Sequence, residues 1–308
     1  MIPGGDTPPT WQLPLPANFR AQDILGFHAR DREPLAEQVG PALLRKGLWW
    51  HGQPVVLQVD FVPGLALARW QSASGAPELP ARAAQEGLAL VQRMLGLAQD
   101  VAAFEAQWRG HPQLGPLLVR QPGLRVPVTA TPFEALAWAI MGQQISVAAA
   151  LSLRRRVILA AGLRHESGLY AHPQAAQVLT LGMERLRAAG LSQSKAQSLL
   201  AVAEGVQSGA LPLDTWALAP QLPAAEIRAA LLAIKGIGPW TVSYALLRGF
   251  GWLDGSLHGD VAVRRGIRQL LQADAPVEPA QAEAWLAPFA PWRALVAAHL
   301  WEMLSLNA

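Results

Sequence analysis

The chain has 308 residues, of which 51% are hydrophobic and 15% are charged. This hydrophobic fraction is typical of folded globular proteins, and the length suggests two domains of about 100–200 residues each. Because the chain contains no Cys, disulfide bonds, thiolate zinc sites and cysteine-ligated iron–sulfur clusters are excluded. The net charge of +3 does not by itself indicate a nucleic-acid partner.

Neither a secretion signal nor a membrane span is predicted. Residues 1–15 lack a basic segment followed by an apolar one. Apolar runs such as residues 135–141 are far shorter than the roughly 20 residues that cross a bilayer. We therefore expect a cytoplasmic protein without a membrane partner. We also expect a monomer, although the residues themselves do not determine the oligomeric state.

The first third of the chain combines strand and helix patterns. Two short strands are predicted at residues 55–61 and 64–70, separated by the turn signal Val62-Pro63-Gly64. Between residues 81 and 110 the apolar residues recur at helical spacing. These patterns predict a small α/β domain over residues 1–112.

After residue 130 the chain is predicted to be almost entirely helical. One helix begins with Thr131 as its cap and Pro132 in its first turn, and its apolar residues form a single buried stripe: Phe133, Leu136, Ala137, Ile140 and Met141. Further helices are predicted at 146–161, 183–189, 194–207, 224–234, 239–250, 261–272, 280–287 and 292–304. Residues 111–132 and 207–223, which are rich in Pro and Gly, are expected to be connections. The pattern predicts an all-α domain over residues 113–308, with two helical subdomains on either side of a cleft.

The most informative segment is a helical hairpin at residues 231–241. A helix leads into a short loop with Gly236 and Gly238, and Pro239 opens the next helix. Loop amides and the N-terminus of the second helix form a site for an anion such as a DNA phosphate. An ordinary turn between helices also fits a bare pair of glycines, but Ile237 between them and the proline after them favour phosphate binding.

A single acid and several aromatic residues follow the hairpin. Asp260 stands between a Gly-containing loop and an amphipathic helix, so it is predicted to cap that helix. Trp240 and Tyr244 share one helix face, and Trp301 lies in the last helix. Aromatic residues at helical spacing commonly pack in a core, but a flipped-out base also needs aromatic faces.

Taken together, these features resemble the DNA-3-methyladenine glycosylase II family of helix–hairpin–helix base-excision glycosylases. The resemblance rests on the hairpin, on Asp260 placed 20 residues after Trp240, on Trp301, and on the segment M-G-Q-Q-I-S-V at residues 141–147. Residues 19–30 are similar to the start of the family's N-terminal domain, which resembles half of the TATA-binding protein. The resemblance implies an α+β fold, with that half-domain before a larger all-α helix–hairpin–helix domain.

The resemblance also implies roles for individual residues. Asp260 would be the catalytic carboxylate, and Trp240, Tyr244 and Trp301 would line the base pocket. Backbone carbonyls near Lys235, Ile237 and Gly238 would hold Na⁺ or K⁺ when DNA is bound, and no other cofactor is required. DNA contacts would come from Gln143, Gln144, Ile145, Lys235, Gly236, Ile237 and Gly238.

Two points about DNA contacts stay open in the sequence. The family carries an apolar wedge residue where this chain has Gln144, so the wedge is either Gln144 or Ile145. Arg264 and Arg265 follow Asp260 by one helical turn and are expected to contact phosphates. The basic run at residues 154–156 is either a phosphate contact or a solvated helix face.

The expected function is excision of cationic alkylated purines, such as 3-methyladenine, from double-stranded DNA. Such a base leaves as a neutral molecule, so one carboxylate is enough to stabilise the sugar and activate water. Related bifunctional enzymes carry a lysine at the position of Trp240, so a monofunctional enzyme that leaves an abasic site is expected. A non-catalytic damaged-DNA-binding protein and a glycosylase for neutral bases are the alternatives. The sequence does not rank alkylpurines, alkylpyrimidines, hypoxanthine and ethenoadenine as substrates, nor does it define the role of the N-terminal domain.

Overall fold

A computed structural model describes residues 10–306 of the chain. Its N-terminal part contains a five-stranded antiparallel sheet in the order β1-β5-β4-β3-β2. The strands are β1 (Thr10–Pro14), β2 (Glu37–Gly40), β3 (Leu43–Trp50), β4 (Gln53–Val62) and β5 (Leu65–Ser72). The two predicted strands are therefore confirmed as β4 and β5, and the α+β architecture is as expected.

Two helices, α1 (Ala21–His28) and α2 (Arg82–Met94), accompany the sheet. A Cβ atom at Gly87 of α2 would lie 2.6 Å from side-chain atoms of both Trp11 and Trp70. A glycine is therefore needed for α2 to approach these two rings so closely.

Twelve further α-helices follow within the described residues: α3 (Val101–Trp108), α4 (Leu114–Arg120), α5 (Pro132–Gly142), α6 (Val147–Ala161), α7 (Ala175–Ala188), α8 (Gln193–Gln207), α9 (Leu213–Leu218), α10 (Ala224–Leu232), α11 (Pro239–Phe250), α12 (Val261–Leu271), α13 (Pro279–Leu286) and α14 (Arg293–Leu306). The predicted bounds of α11 are confirmed. Helix α7 is interrupted at Gly182, which has a φ of +63°, so its second part begins at the predicted residue 183, whereas its first part, from Ala175, was not predicted. Helices α4 and α9 lie inside stretches predicted to be connections, so those two predictions are wrong. Burial explains α9, because Leu213 and Trp216 anchor this short helix despite the surrounding Pro and Gly.

Helix α5 is the central element of the helical part. Every residue from Pro132 to Met141 is buried, so the prediction of a single buried stripe is wrong. The helix contacts α6, α8, α9 and α11, and Lys46 of the sheet reaches Glu134 in its first turn. The capping prediction is confirmed, since Oγ1 of Thr131 accepts a hydrogen bond from the backbone N–H of Glu134 at 3.1 Å.

The C-terminal helices pack partly against α3 and α4. Phe104 of α3 shares one buried cluster with Leu117, Ile267 and Leu300. A second cluster contains buried residues from every helix from α5 through α11. A third cluster lies between the sheet, α1 and α2. The division at residues 112 and 113 stays a prediction.

A buried ion cluster joins the sheet to the helical part. Nζ of Lys46 on β3 lies 2.7 Å from Oε1 of Glu134 on α5, and Arg154 on α6 binds Glu37 on β2 at 2.7 and 3.0 Å. Burial opposes ionisation of Glu134, but the charges of Lys46 and Arg154 outweigh it and lower the pKa of this carboxyl to about 2. A phosphate contact by Arg154 is thereby ruled out, because its guanidinium is buried between two carboxylates.

Within residues 10–306, none of the helices has the length and apolar character needed to cross a membrane.

Candidate active site

The side chain of Asp260 accepts hydrogen bonds from three N–H groups. Its Oδ1 accepts from the backbone N–H of Val263 at 3.0 Å and from Nε1 of Trp301 at 3.2 Å. Its Oδ2 accepts from Nε1 of Trp240 at 2.9 Å. An ionised carboxylate offers about four lone-pair positions, so roughly one remains for a water molecule or a substrate. The bond to Val263 confirms that Asp260 caps α12.

Helix α11 brings aromatic side chains to the acid. Trp240 lies in its first turn and Tyr244 in its second, with ring centroids 5.4 Å apart and an interplanar angle of 30°. Trp301 approaches from α14, so two distant helices both present an indole N–H to Asp260. The acid and the three predicted aromatic residues therefore form one group, in which Trp240 and Trp301 are hydrogen-bonded to Asp260.

The hairpin loop between α10 and α11 packs against Ser198 of α8. Gly236 has a φ of +90°, and a Cβ atom there would lie 2.2 Å from Oγ of Ser198. That hydroxyl donates to the carbonyl of Lys235 at 2.9 Å. A Cβ at Gly238, in contrast, would meet nothing within 4 Å. The first glycine is thus required by the fold, whereas the second keeps the outer face of the loop open.

The predicted hairpin residues differ in their exposure. Lys235 and Gly236 are exposed, whereas Ile237 is buried and anchors the loop in the core cluster of α5 to α11. The side chain of Ile237 is therefore directed into the protein, and only its backbone is available to a phosphate.

In the segment that follows α5, one side chain is hydrogen-bonded to the hairpin and the next two are exposed. Nε2 of Gln143 donates to the carbonyl of Gly236 at 2.9 Å and lies 3.0 Å from Oγ1 of Thr241, so this side chain is engaged with the hairpin. Gln144 has a φ of +56° and is exposed, as is Ile145. Left-handed backbone at a residue other than Gly is costly and is often found at functional sites. Both wedge candidates thus lie on the surface.

The predicted phosphate contacts Arg264 and Arg265 are not equivalent, and Arg293 differs from both. Arg264 points its Nη1 towards the carbonyl of Val277 at 3.5 Å, whereas Arg265 is exposed. Arg293 binds both carboxylate oxygens of Asp254 at 2.7 and 3.0 Å, a bidentate ion pair typical of a structural role. Of these three arginines, Arg265 is the one presented to solvent.

Sequence reasoning missed Trp138 and the two arginines near the aromatic group. Trp138 belongs to the same buried cluster as Tyr244, and Trp240 packs against that cluster. The guanidinium carbon of Arg30 lies 4.8 Å from a Trp138 ring centroid, and that of Arg248 lies 5.5 Å from Trp301. Trp138 could have been noticed in the sequence, because it is a large aromatic residue outside the expected apolar stripe of α5. The sequence around Arg30 and Arg248 contains no comparable signal.

A large cavity lies elsewhere in the molecule. It has a volume of about 780 Å³ and is lined by residues of β3, α2, α7 and α9, among them Trp50, Arg93 and Asp214. None of Asp260, Trp240, Tyr244 and Trp301 lines it, so this cavity is separate from the candidate site.

Comparisons with known proteins agree on one family. A family model described as "HhH-GPD superfamily base excision DNA repair protein" matches residues 137–290, half of the chain. The "Probable bifunctional transcriptional activator/DNA repair enzyme AlkA" of Mycobacterium tuberculosis is 25% identical over 95% of this chain and 56% of its own length. The "DNA-3-methyladenine glycosylase 2" of Escherichia coli is 30% identical over 61% of this chain and 63% of its own. The chain thus spans little more than half the length of the first of these relatives.

Among solved structures, the 3-methyladenine DNA glycosylase from Archaeoglobus fulgidus superposes with a TM-score of 0.78. The match covers 94% of this chain and 97% of that chain at 21% identity, so it shows a shared fold.

Proposed function

The chain belongs to the HhH-GPD superfamily of base excision DNA repair proteins, and from this premise we propose that it is a monofunctional glycosylase that releases alkylated purines from double-stranded DNA. The observation that carries the proposal is the Asp260 carboxylate held by the indole N–H groups of Trp240 and Trp301. A passive DNA-binding hairpin has no need for an acid fixed in this way. The names of the relatives also support this substrate class.

The chemistry requires a single carboxylate. A purine alkylated at N3 or N7 carries a positive charge, and the electrons of the breaking C1′–N bond neutralise it, so no general acid is required. Asp260 stabilises the positive charge that develops on the sugar. A water molecule then adds to C1′ and gives a proton to Asp260, which leaves an abasic sugar and a free base. The remaining acceptor position on the carboxylate suits this water.

The aromatic group would receive the flipped base. Trp240, Tyr244 and Trp301 provide flat faces next to the acid, and the attraction between such a face and a cationic base is worth about 0.5–2 kcal/mol. Gln144 or Ile145, both exposed, would enter the stack that the base vacates.

The hairpin would bind the DNA backbone. Because Gly238 has open space on its outer face, a phosphate can approach the N-terminus of α11 without meeting a side chain. The carbonyls of Lys235 and Gly238 each accept one hydrogen bond and keep a second lone pair, which suits Na⁺ or K⁺ near Ile237. Such an ion would add positive charge beside the phosphate when DNA is bound.

The lysines support the absence of lyase activity. The chain has three: Lys46 is buried in the ion cluster, Nζ of Lys195 donates to the carbonyl of Met141 at 2.8 Å, and Lys235 lies on the hairpin. Trp240 occupies the position at which bifunctional relatives are expected to carry the attacking lysine. We propose that no Schiff base forms with the sugar and that the enzyme acts as a monomer.

Release of free base from methylated duplex DNA tests the proposal. We expect 3-methyladenine in the supernatant and alkali-labile abasic sites in the DNA, with no strand cleavage before alkali. Borohydride added during the reaction should trap no covalent enzyme–DNA adduct. Binding without release from methylated, ethenoadenine or hypoxanthine DNA would instead identify a non-catalytic damaged-DNA-binding protein.

A further inference from the structure

The exposed side chain of Arg30 lies against Trp138, which shares a buried cluster with Tyr244 of the aromatic group around Asp260. This residue follows α1 in the N-terminal part of the chain, and its Nε donates to the carbonyl of Phe27 at 2.7 Å. Its guanidinium carbon lies 3.9 Å from the ring centroid of Phe27 and 4.8 Å from that of Trp138. Because Trp138 and Tyr244 share one buried cluster, Arg30 stacks on the outer wall of the proposed base pocket.

A second guanidinium reaches the same group from α11. The guanidinium carbon of Arg248 lies 4.7 Å from the ring centroid of Phe27 and 5.5 Å from that of Trp301. Phe27 therefore contacts both arginines, one of which reaches Trp138 and the other Trp301. Burial and the charge of Arg30 lower the pKa of Arg248 to about 10, so this side chain remains charged at neutral pH.

Neither charge is paired directly with a carboxylate, although Arg30 lines a small cavity together with Asp31, Glu37 and Glu134. Among residues 10–306, neither Arg30 nor Arg248 forms an ion pair within 4.0 Å. Water screens part of the charge of the exposed Arg30, but the face of its guanidinium that packs on Phe27 and Trp138 is screened less, and Arg248 is partly buried, so a base in this pocket experiences both charges. A cationic base is repelled, whereas a neutral base that gains negative charge as it leaves is stabilised.

We propose that Arg30, stacked on Trp138, is a specificity-determining residue that reduces the preference of the pocket for cationic bases over neutral ones. The inference rests on the proposed function, because it concerns the bases that the Asp260 site releases. The N-terminal part of the chain thereby contributes to base selection, a role that the sequence left undefined. Arg248 acts in the same direction from the other side of Phe27.

A phosphate contact is the competing role for an exposed arginine. Such a contact would affect every lesion in the same duplex equally, since phosphates carry no information about the base. A contact with the base pocket would change two lesions in opposite directions. The ratio of two rates in one sequence context therefore separates the two roles.

The test measures single-turnover release of 7-methylguanine, which is cationic, and of hypoxanthine, which is neutral, from otherwise identical duplexes. In Arg30→Gln we expect the first rate to rise and the second to fall, so that their ratio increases about tenfold, equivalent to about 1.4 kcal/mol. Arg30→Lys, which keeps the charge, should change the ratio less than Arg30→Gln does. Arg32→Gln removes an exposed charge two residues away and should leave the ratio at its wild-type value.

Each outcome has a distinct meaning. Equal changes of both rates in Arg30→Gln, an unchanged ratio, or a decreased ratio would overturn the specificity role while leaving the glycosylase function intact. If the wild type releases only 7-methylguanine, an unchanged or decreased rate in Arg30→Gln overturns the inference as well. Release of neither base by the wild type would reject the proposed function itself. Melting temperatures of the three variants would identify any loss of folding.

Discussion

The indole Nε1 of Trp240 lies 2.9 Å from Oδ2 of Asp260 and donates a hydrogen bond to it. Under the proposed function the indole also lines the base pocket, so one side chain would both orient the acid and contact the base. Trp301 repeats this arrangement from α14, with its Nε1 3.2 Å from Oδ1. Binding of the base and positioning of the carboxylate would thereby be coupled.

Replacement of Trp240 by Phe should slow base release while preserving an aromatic face. Loss of the N–H donor leaves one oxygen of Asp260 without its partner, and the loss of one such bond to a charged group costs about 1.5–3 kcal/mol. We expect a decrease of about tenfold or more in the single-turnover rate. The matched control is Trp285→Phe, which alters an indole packed against Phe289 in the same core cluster. Equal rates in the wild type and Trp240→Phe would contradict the role of this bond.

The two hairpin glycines should respond differently to alanine. At Gly236 the left-handed backbone and the contact with Ser198 predict destabilisation by about 1–3 kcal/mol. At Gly238 a methyl group meets open space, so the free energy of unfolding should change by less than about 1 kcal/mol. The methyl group would, however, stand where the phosphate approaches, and DNA affinity should fall severalfold.

Urea unfolding and DNA titration of both variants check this prediction. Unchanged affinity in a stable Gly238→Ala variant would show that the phosphate does not approach this face.

The two arginines of α12 should differ in their effect on salt dependence. Arg265 is exposed, whereas Arg264 faces the carbonyl of Val277. Each phosphate contact contributes about one unit to the slope of log K against log salt concentration. We therefore expect Arg265→Gln to reduce the slope by about one unit and Arg264→Gln to leave it nearly unchanged. The opposite ranking would mean that Arg264 turns outwards when DNA binds.

Stability should decrease below neutral pH because three histidines are buried. Burial lowers the pKa of His28 to about 3, of His172 to about 4 and of His299 to about 3. Between these values and about 6.5 the unfolded chain binds protons that the folded chain does not, so folding is progressively disfavoured as the pH falls. Each histidine contributes up to about 1.4 kcal/mol per pH unit.

Glu134 adds to this loss only at lower pH. Its folded pKa of about 2 lies below its ordinary value, so the stability that it contributes is lost as the pH falls from about 4.5 towards 2. Urea unfolding at pH 7.5, 6.0 and 4.5 measures the histidine effect. A constant free energy of unfolding over this range would contradict the buried, neutral histidines.

The sequence predicted those parts of the site that depend on local spacing. Gly238 followed by Pro239 marks the start of α11, and the turn between Trp240 and Tyr244 places both rings on one face. The cap position of Asp260 likewise follows from the loop before it and the helix after it. Each of these features is determined within a few residues along the chain.

Contacts between distant segments could not be predicted in this way. Arg154 belongs to a basic run that resembles a solvated or phosphate-binding face, but its partner Glu37 lies 117 residues earlier on β2. Arg30 meets Trp138 only because the sheet and α5 are packed together. Nothing in the local pattern of either segment indicates such a pairing.

The most direct test of the account is Asp260→Asn, since Asn keeps the cap of α12 but removes the charge. We predict a decrease of about 10²–10⁴-fold in single-turnover release of 3-methyladenine, with DNA affinity and melting temperature close to those of the wild type. Release at the wild-type rate by a folded, DNA-binding Asp260→Asn protein would contradict the central claim that this carboxylate performs the reaction.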